Sequence, residues 1–209
     1  MTDAPKDLTV TTALRRLRRD PVMKAIIQQA GPYAMTFGEP TFESLARSIV
    51  GQQLSTKVAR VIYQRLKDAL PQGQVTPAAV LKLRPAKMRA IGLSGAKTEY
   101  IRDLARHTVH GKVRFEDLPG KDLEFVVEHL TQVKGIGVWT AHMFLIFALR
   151  HPDVLPVGDL GIRTAIRRAY GLEALPTPKE IEALAERWHP YCSIASWYLW
   201  RSLDGPAKL

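Results

Sequence analysis

Two glycines separated by a single isoleucine, in Leu130-Thr-Gln-Val-Lys-Gly-Ile-Gly-Val-Trp-Thr-Ala141, constrain this chain more than any other segment. Apolar residues at helical spacing flank them on both sides, so the segment reads as two helices joined by a tight bend. Gly135 and Gly137 can adopt positive φ and carry no Cβ, which lets another group come close to the backbone. The following helix, over 138–150, would present its unpaired N–H groups and positive dipole end at the same place. The product is an anion site made of backbone, open to a phosphate and indifferent to base sequence.

The rest of the chain is consistent with helices alone. Apolar residues recur every three or four positions and alternating β-branched runs are absent, which predicts an all-α fold. Helices are expected at 11–19, 21–30, 41–52, 55–70, 77–82, 85–91, 95–110, 121–131, 138–150, 159–170, 178–188 and 191–202. Thr41 and Ser55 stand as N-caps, and Thr76 and Thr177 each precede a proline suited to a first helical position. Gly31, Gly92, Gly111 and Gly171 mark stops. The first eight or so residues are expected to fray. The arginines of Leu14-Arg-Arg-Leu-Arg-Arg19 read as the solvated face of an amphipathic helix.

Lys and Arg number 30 against 20 acidic residues, a formal charge of +10, which favours a polyanionic partner through steering and counterion release. The single Cys192 rules out a disulfide framework and a four-thiolate iron–sulfur cluster, and points to a reducing compartment. No apolar run has the length of a membrane span and the N-terminus lacks the order of a signal peptide, so no membrane role is expected. The six histidines are scattered, and no His, Cys or carboxylate cluster shows catalytic-metal spacing.

Asp159 follows the loop His151-Pro-Asp-Val-Leu-Pro-Val-Gly158 and opens the next helical stretch. Taken alone, an aspartate there is an N-cap. Asp153, in the same Pro-flanked loop, is expected to be exposed and dispensable.

The Gly-Ile-Gly bend, Thr140 and Ala141 behind it, the apolar flanks Leu130 and Val133, and Pro156-Val-Gly-Asp159 some twenty residues on resemble the helix-hairpin-helix (HhH-GPD) DNA glycosylases. Within them the chain is similar to the alkylpurine branch of the 3-methyladenine DNA glycosylase II type, over about 42–201. The resemblance implies a two-lobed helical fold with a DNA-binding cleft and no iron–sulfur cluster. Residues of about 40–150 would form a central lobe ending in the hairpin, and about 1–39 plus 151–209 a second. It makes Asp159 the catalytic carboxylate. It assigns the DNA backbone to Gly135, Ile136, Gly137, Thr140 and Lys134, with Gly95 and Lys97 of Gly92-Leu-Ser-Gly-Ala-Lys97 as further contacts or, equally, a plain C-cap followed by an N-cap. It places Gln53, in Ile49-Val-Gly-Gln-Gln-Leu-Ser55, at the wedge that fills the gap left by an everted base. Trp139, Tyr191 and Met143 would line the base pocket, since flat electron-rich rings suit a cationic base. Core packing is the other role open to Tyr191, and the expected one for Trp188, Trp197 and Trp200. Two positions depart from the family pattern: Cys192 where arginine is common, and Met143 where a bacterial member has tyrosine.

Position 139 bears on mechanism. Bifunctional relatives place there a lysine that attacks the sugar and cuts the strand, whereas this chain has Trp139. The resemblance therefore implies a DNA N-glycosylase without abasic-site lyase activity, acting as a monomer on double-stranded DNA that contains alkylated bases. No cofactor is expected beyond a monovalent cation (Na+ or K+) held by the backbone carbonyls of Thr131, Val133 and Ile136. The compartment would be the cytoplasm and nucleoid of a bacterium or the nucleus of a eukaryote. Two alternatives share the hairpin: a glycosylase for oxidised or deaminated bases, and a non-catalytic clamp on DNA structure.

Overall fold

The computed structural model describes residues 4–204, and the side chains of 10–204. Twelve α-helices and two short 3-10 turns make up the described residues, with no strand among them. None of the helices is long and apolar enough to cross a membrane. By its contacts the chain divides into Phe37–Leu149 and a second unit that joins Met1–Thr36 to Arg150–Leu209.

The unit Phe37–Leu149 holds α3 (Phe42–Gly51), α4 (Thr56–Asp68), α5 (Pro77–Lys82), α6 (Pro85–Ala90), α7 (Gly95–Val109), α8 (Leu123–Thr131) and α9 (Val138–Phe147). Helix α7 is its axis and packs against α3, α5 and α6. Leu45, Ile49, Leu66, Ile101, Leu104 and Leu130 are fully buried, and each such side chain contributes roughly 1.5–3 kcal/mol. Local chemistry sets the helix starts. Thr41 and Ser44 exchange backbone hydrogen bonds in a reciprocal capping box, while Ser55, Thr76 and Ser94 each accept a bond from the third residue on. Helix α8 begins two residues later than its sequence suggested, because Asp122 takes the N-cap and accepts the Phe125 N–H at 2.7 Å. Arg102 donates to the carbonyls of Val80, Leu81 and Leu83 at 3.4, 3.2 and 2.8 Å, which ties the end of α5 to α7.

The second unit holds α1 (Ala4–Leu17), α2 (Pro21–Ala30), α10 (Leu160–Tyr170), α11 (Pro178–Ala185) and α12 (Cys192–Arg201). Helix α1 starts at Ala4, seven residues ahead of its expected start, and Pro5 sits in its first turn, where a missing N–H costs nothing; the first three residues of the expected frayed end lie outside the described residues. Ala13 and Leu17 face the core while Arg15, Arg18 and Arg19 are exposed. Helix α12 is central and packs against α1, α2 and α10. Asp20, only 4% exposed, caps α2 and accepts bonds from Tyr170 Oη at 2.5 Å and Trp188 Nε1 at 3.2 Å.

Helix α9 stops at Phe147, three residues short of its expected end. Arg150 turns to φ +57 and the chain leaves the helix ahead of His151-Pro152, since the residue before a proline disfavours helical backbone. The loop that follows is latched onto the start of α12. Ser193 Oγ donates to the His151 carbonyl at 2.6 Å and accepts the Val154 N–H at 3.0 Å. Ser193 N–H reaches the Pro152 carbonyl at 3.0 Å. Through these bonds the fold presents Asp159.

Candidate active site

The hairpin closes with two short backbone bonds, Val133 N–H to Leu130 and Ile136 N–H to Val133, both 3.1 Å. The two glycines serve differently. Gly135 has φ +79, and a Cβ there would lie 2.1–2.5 Å from the Tyr100 ring, so the bend can pack on α7 only as glycine. Gly137 has φ −94 and nothing within 4 Å of a built Cβ. The expectation that both adopt positive φ therefore needs correcting for Gly137. Its use is to be bare: it is the N-cap of α9 and offers no side-chain acceptor to that helix's first turn, unlike the Asp, Ser and Thr caps elsewhere. Ile136 is buried and anchors the bend. Thr140 is buried too, so its side chain serves packing.

A carboxylate that the sequence did not single out holds the hairpin. Asp103 of α7, 6% exposed, accepts the Lys134 backbone N–H at 3.0 Å and the Arg106 guanidinium at 2.9 Å. Burial pushes its carboxyl up, but the bonds from Lys134 and Arg106 and the nearby His107 and Arg106 charges outweigh that and hold it below the usual carboxylate range. The Lys134 ammonium stays exposed, 3.3 Å from Glu99.

Gln53 lies in the turn between α3 and α4 with its side chain exposed and φ +57, a conformation that costs a non-glycine residue about 1–2 kcal/mol. Its neighbours hold it there. The Gln52 side-chain amide donates to the Gly135 carbonyl at 2.9 Å, joining this turn to the hairpin. Lys97 Nζ donates to the carbonyls of Val50 and Gln52 at 2.8 and 2.5 Å, and burial lowers its pKa. The Lys97 ammonium, expected at a phosphate, is thus engaged at the end of α3. Gly95 is the first residue of α7 behind the Ser94 cap, with nothing near a built Cβ. Replacing Lys97 with Met should release the strained turn and weaken binding of lesion-bearing duplex several-fold, as Gln53→Ala should by removing the wedge. Fluorescence anisotropy with and without a lesion in the duplex measures both, and equal affinities for wild type and variants would remove the turn from the interface.

In the second unit Asp159 is the N-cap of α10. Its Oδ1 accepts the Ile162 N–H at 2.8 Å and the Trp200 indole Nε1–H at 2.9 Å. Gly161 makes room for this: a Cβ there would lie 2.9 Å from Asp159 Oδ1 and 3.0 Å from Trp200 Cδ1. Capping thus fixes the position of the carboxylate. Trp200, read from sequence as core, is half-buried, and Trp197 is half-buried with its ring edge-on to Tyr33, while Trp188 is fully buried. Tyr191 is half-buried at the N-cap of α12 and packs on the same core as Trp200, Leu155 and Val157.

Trp139 and Met143 stand one turn apart on α9, Trp139 48% exposed and Met143 half-buried. Val138 and Leu54 are exposed in the same unit, as is Leu160 beside Asp159 in the other. Large apolar side chains thus face solvent on the elements singled out for chemistry.

The expectation of an exposed Asp153 fails. Asp153 is not a free surface carboxylate: it accepts the Cys192 N–H at 3.1 Å and pairs with His189 Nδ1 at 2.7 Å. The bonds from His189 and Cys192 hold its carboxyl below the usual range in spite of burial, which pushes the other way. A cluster of metal-ligand types also exists, Asp153 with His189 and Cys192, although no local spacing announced it.

Residues 46–190 match the model of the HhH-GPD superfamily of base excision DNA repair proteins. Among curated relatives, DNA-3-methyladenine glycosylase 1 of Schizosaccharomyces pombe is 35% identical over 185 residues, which cover 86% of this chain and 81% of that one. The solved S. pombe 3-methyladenine DNA glycosylase in complex with abasic DNA superposes with a TM-score of 0.82 at 34% identity, covering 92% of this chain and 97% of that one. A DNA-3-methyladenine glycosidase from Bacillus halodurans also gives 0.82, at 35% identity, over 91% and 88% of the two chains. With the hairpin, its glycines and the downstream aspartate in place, this chain belongs to the HhH-GPD superfamily of base excision DNA repair proteins.

Proposed function

We propose that the chain is a monofunctional DNA-3-methyladenine glycosylase that acts as a monomer on duplex DNA, everts an alkylated purine and hydrolyses its N-glycosidic bond to leave an abasic site. The observation that carries the reading is the Asp159 carboxylate, fixed by the Ile162 N–H and the Trp200 indole, in a chain whose relatives bear that activity in their names.

The chemistry follows from the leaving group. An N-alkylated purine is already cationic, so when the bond to the sugar breaks, the electron pair leaves with the base, which departs neutral and needs no proton donor. Positive charge develops on the sugar carbon, and a fixed carboxylate stabilises it in a site of low dielectric. Water then adds to that carbon and gives its proton to Asp159 or to solvent. Trp139 and Tyr191 would stack on the cationic base, each worth roughly 0.5–2 kcal/mol when desolvated. Gln53 would fill the gap, and its amide could bond the orphaned base where an aliphatic residue only packs. The α9 N-terminus and the Lys134 ammonium would hold the phosphate.

The hairpin carbonyls of Thr131, Val133 and Ile136 suit a monovalent cation. Val133's accepts the Ile136 N–H, and a carbonyl keeps a second lone pair. Such an ion, when bound, adds positive charge at the phosphate position.

Trp139 in place of a lysine supports hydrolysis without strand cleavage. Product analysis on methylated duplex should find free 3-methyladenine or 7-methylguanine and intact abasic strands, and borohydride should trap no covalent complex. A covalent complex lost on Lys134→Ala would make the enzyme a lyase. Release only from duplex with 8-oxoguanine or uracil would move the substrate class, and release from none would leave a DNA clamp.

A further inference from the structure

His189, in the turn between α11 and α12, and Cys192, the first residue of α12, lie three residues apart, and Asp153 reaches the same point from the loop that ends at Asp159. One donor atom from each falls within 4.8 Å of the others. Cys192 Sγ is 3.5 Å from His189 Nδ1, and His189 Nδ1 is 2.7 Å from Asp153 Oδ2. The thiol is fully buried, whereas the His189 side chain is 44% exposed.

A thiol, an imidazole and a carboxylate invite comparison with a nucleophile triad, but the geometry is wrong for one. The same ring nitrogen lies nearest both sulfur and carboxylate, whereas a triad uses the two nitrogens separately. The sulfur is also closed to substrate. The spacing suits a tetrahedral cation better. With bonds of about 2.3 Å to sulfur and 2.0–2.1 Å to nitrogen or oxygen, neighbouring ligands stand about 3.3–3.6 Å apart. The sulfur–nitrogen separation already matches in length; for Nδ1 to aim its lone pair at a shared ion the His189 ring must turn, since Nε2 now lies 3.9 Å from the sulfur, and the nitrogen–oxygen pair need open by less than about 1 Å to fit the same geometry. Mixed sulfur, nitrogen and oxygen donors favour zinc over magnesium or calcium.

We propose that Asp153, His189 and Cys192 form a Zn2+ site with three protein ligands, the fourth position open to water on the exposed side of His189. Zn2+ takes Cys192 as thiolate, its proton passing to solvent, and His189 through neutral Nδ1. The ion fastens the loop that presents Asp159 to the start of α12, where Asp153 already accepts the Cys192 N–H.

The test is made on the full chain, stripped of metal and kept reduced, and does not depend on base release. Titration with Zn2+ against a chromophoric chelator should show one equivalent bound. Co2+ at the same stoichiometry should give a thiolate-to-metal charge-transfer band in the near ultraviolet. Cys192→Ser, nearly isosteric, should abolish that band and weaken Zn2+ by about 100-fold or more. His189→Gln, at a half-exposed position, should weaken Zn2+ while far-ultraviolet circular dichroism stays that of wild type. Absence of stoichiometric binding, or binding that Cys192→Ser leaves unchanged, overturns the site.

Discussion

Asp159→Asn should lower the rate of base release from methylated duplex by about 1,000-fold or more while leaving the fold and DNA affinity intact. The substitution separates the two roles of the side chain. Asparagine is as good an N-cap as aspartate, and its carbonyl oxygen can accept both bonds now made to Asp159 Oδ1, from the Ile162 N–H and the Trp200 indole. The start of α10 and the seat of Trp200 are therefore kept. What is lost is the negative charge that offsets the developing sugar cation. Removing one neutral donor from an oxyanion site costs about 100- to 1,000-fold, and a full charge beside a full developing charge sets that as a lower bound. Affinity for undamaged duplex should be equal or slightly higher, since a carboxylate no longer repels phosphate. Single-turnover rates with excess enzyme, read beside anisotropy titrations, measure the two effects separately. A rate within about tenfold of wild type, against the loss expected for a charged stabiliser, would take the chemistry away from Asp159 and leave it a cap.

The parts of this molecule that were legible in its sequence are those decided within one helical turn. Thr41, Ser55, Thr76 and Thr177 were readable as caps because a cap and its N–H partner are two or three residues apart, and each does accept that bond. The hairpin was readable because glycines between helical runs have few other uses. The site's finer geometry is set across the chain. Trp200 reaches Asp159 over 41 residues and Cys192 reaches Asp153 over 39, and no periodicity links such pairs. Gly161 carried the only local trace of the first pair, since a glycine just inside a helix otherwise weakens it. Asp103 likewise looked like one acid in the helical run Asp103-Leu-Ala-Arg-His107. Only the fold shows that it holds the hairpin through Lys134. Lys97 went to helix carbonyls rather than to an open phosphate position because the end of α3, with carbonyls to satisfy, arrives beside it.

Gly135→Ala should destabilise the protein by about 2–5 kcal/mol and weaken duplex binding by at least tenfold, whereas Gly137→Ala should weaken binding alone. The two glycines differ in what surrounds them. At Gly135 an added methyl meets the Tyr100 ring at 2.1–2.5 Å with backbone at φ +79, so overpacking and left-handed strain add, at about 1–3 and 1–2 kcal/mol respectively. For a chain of this size the melting temperature should fall by roughly 4–20 °C. At Gly137 the methyl meets no protein atom and φ is ordinary, so the melting temperature should move by no more than about 2 °C. The methyl would instead stand where a phosphate must approach the first turn of α9. A second substitution divides the Gly135 effect: Tyr100→Ala in the Gly135→Ala background removes the ring and should recover the overpacking but not the strain at φ +79. Thermal unfolding and anisotropy on the four proteins test this directly. Equal melting temperatures for Gly135→Ala and Gly137→Ala would mean that Tyr100 does not hold the hairpin, and unchanged binding in Gly137→Ala would mean that the phosphate lies elsewhere.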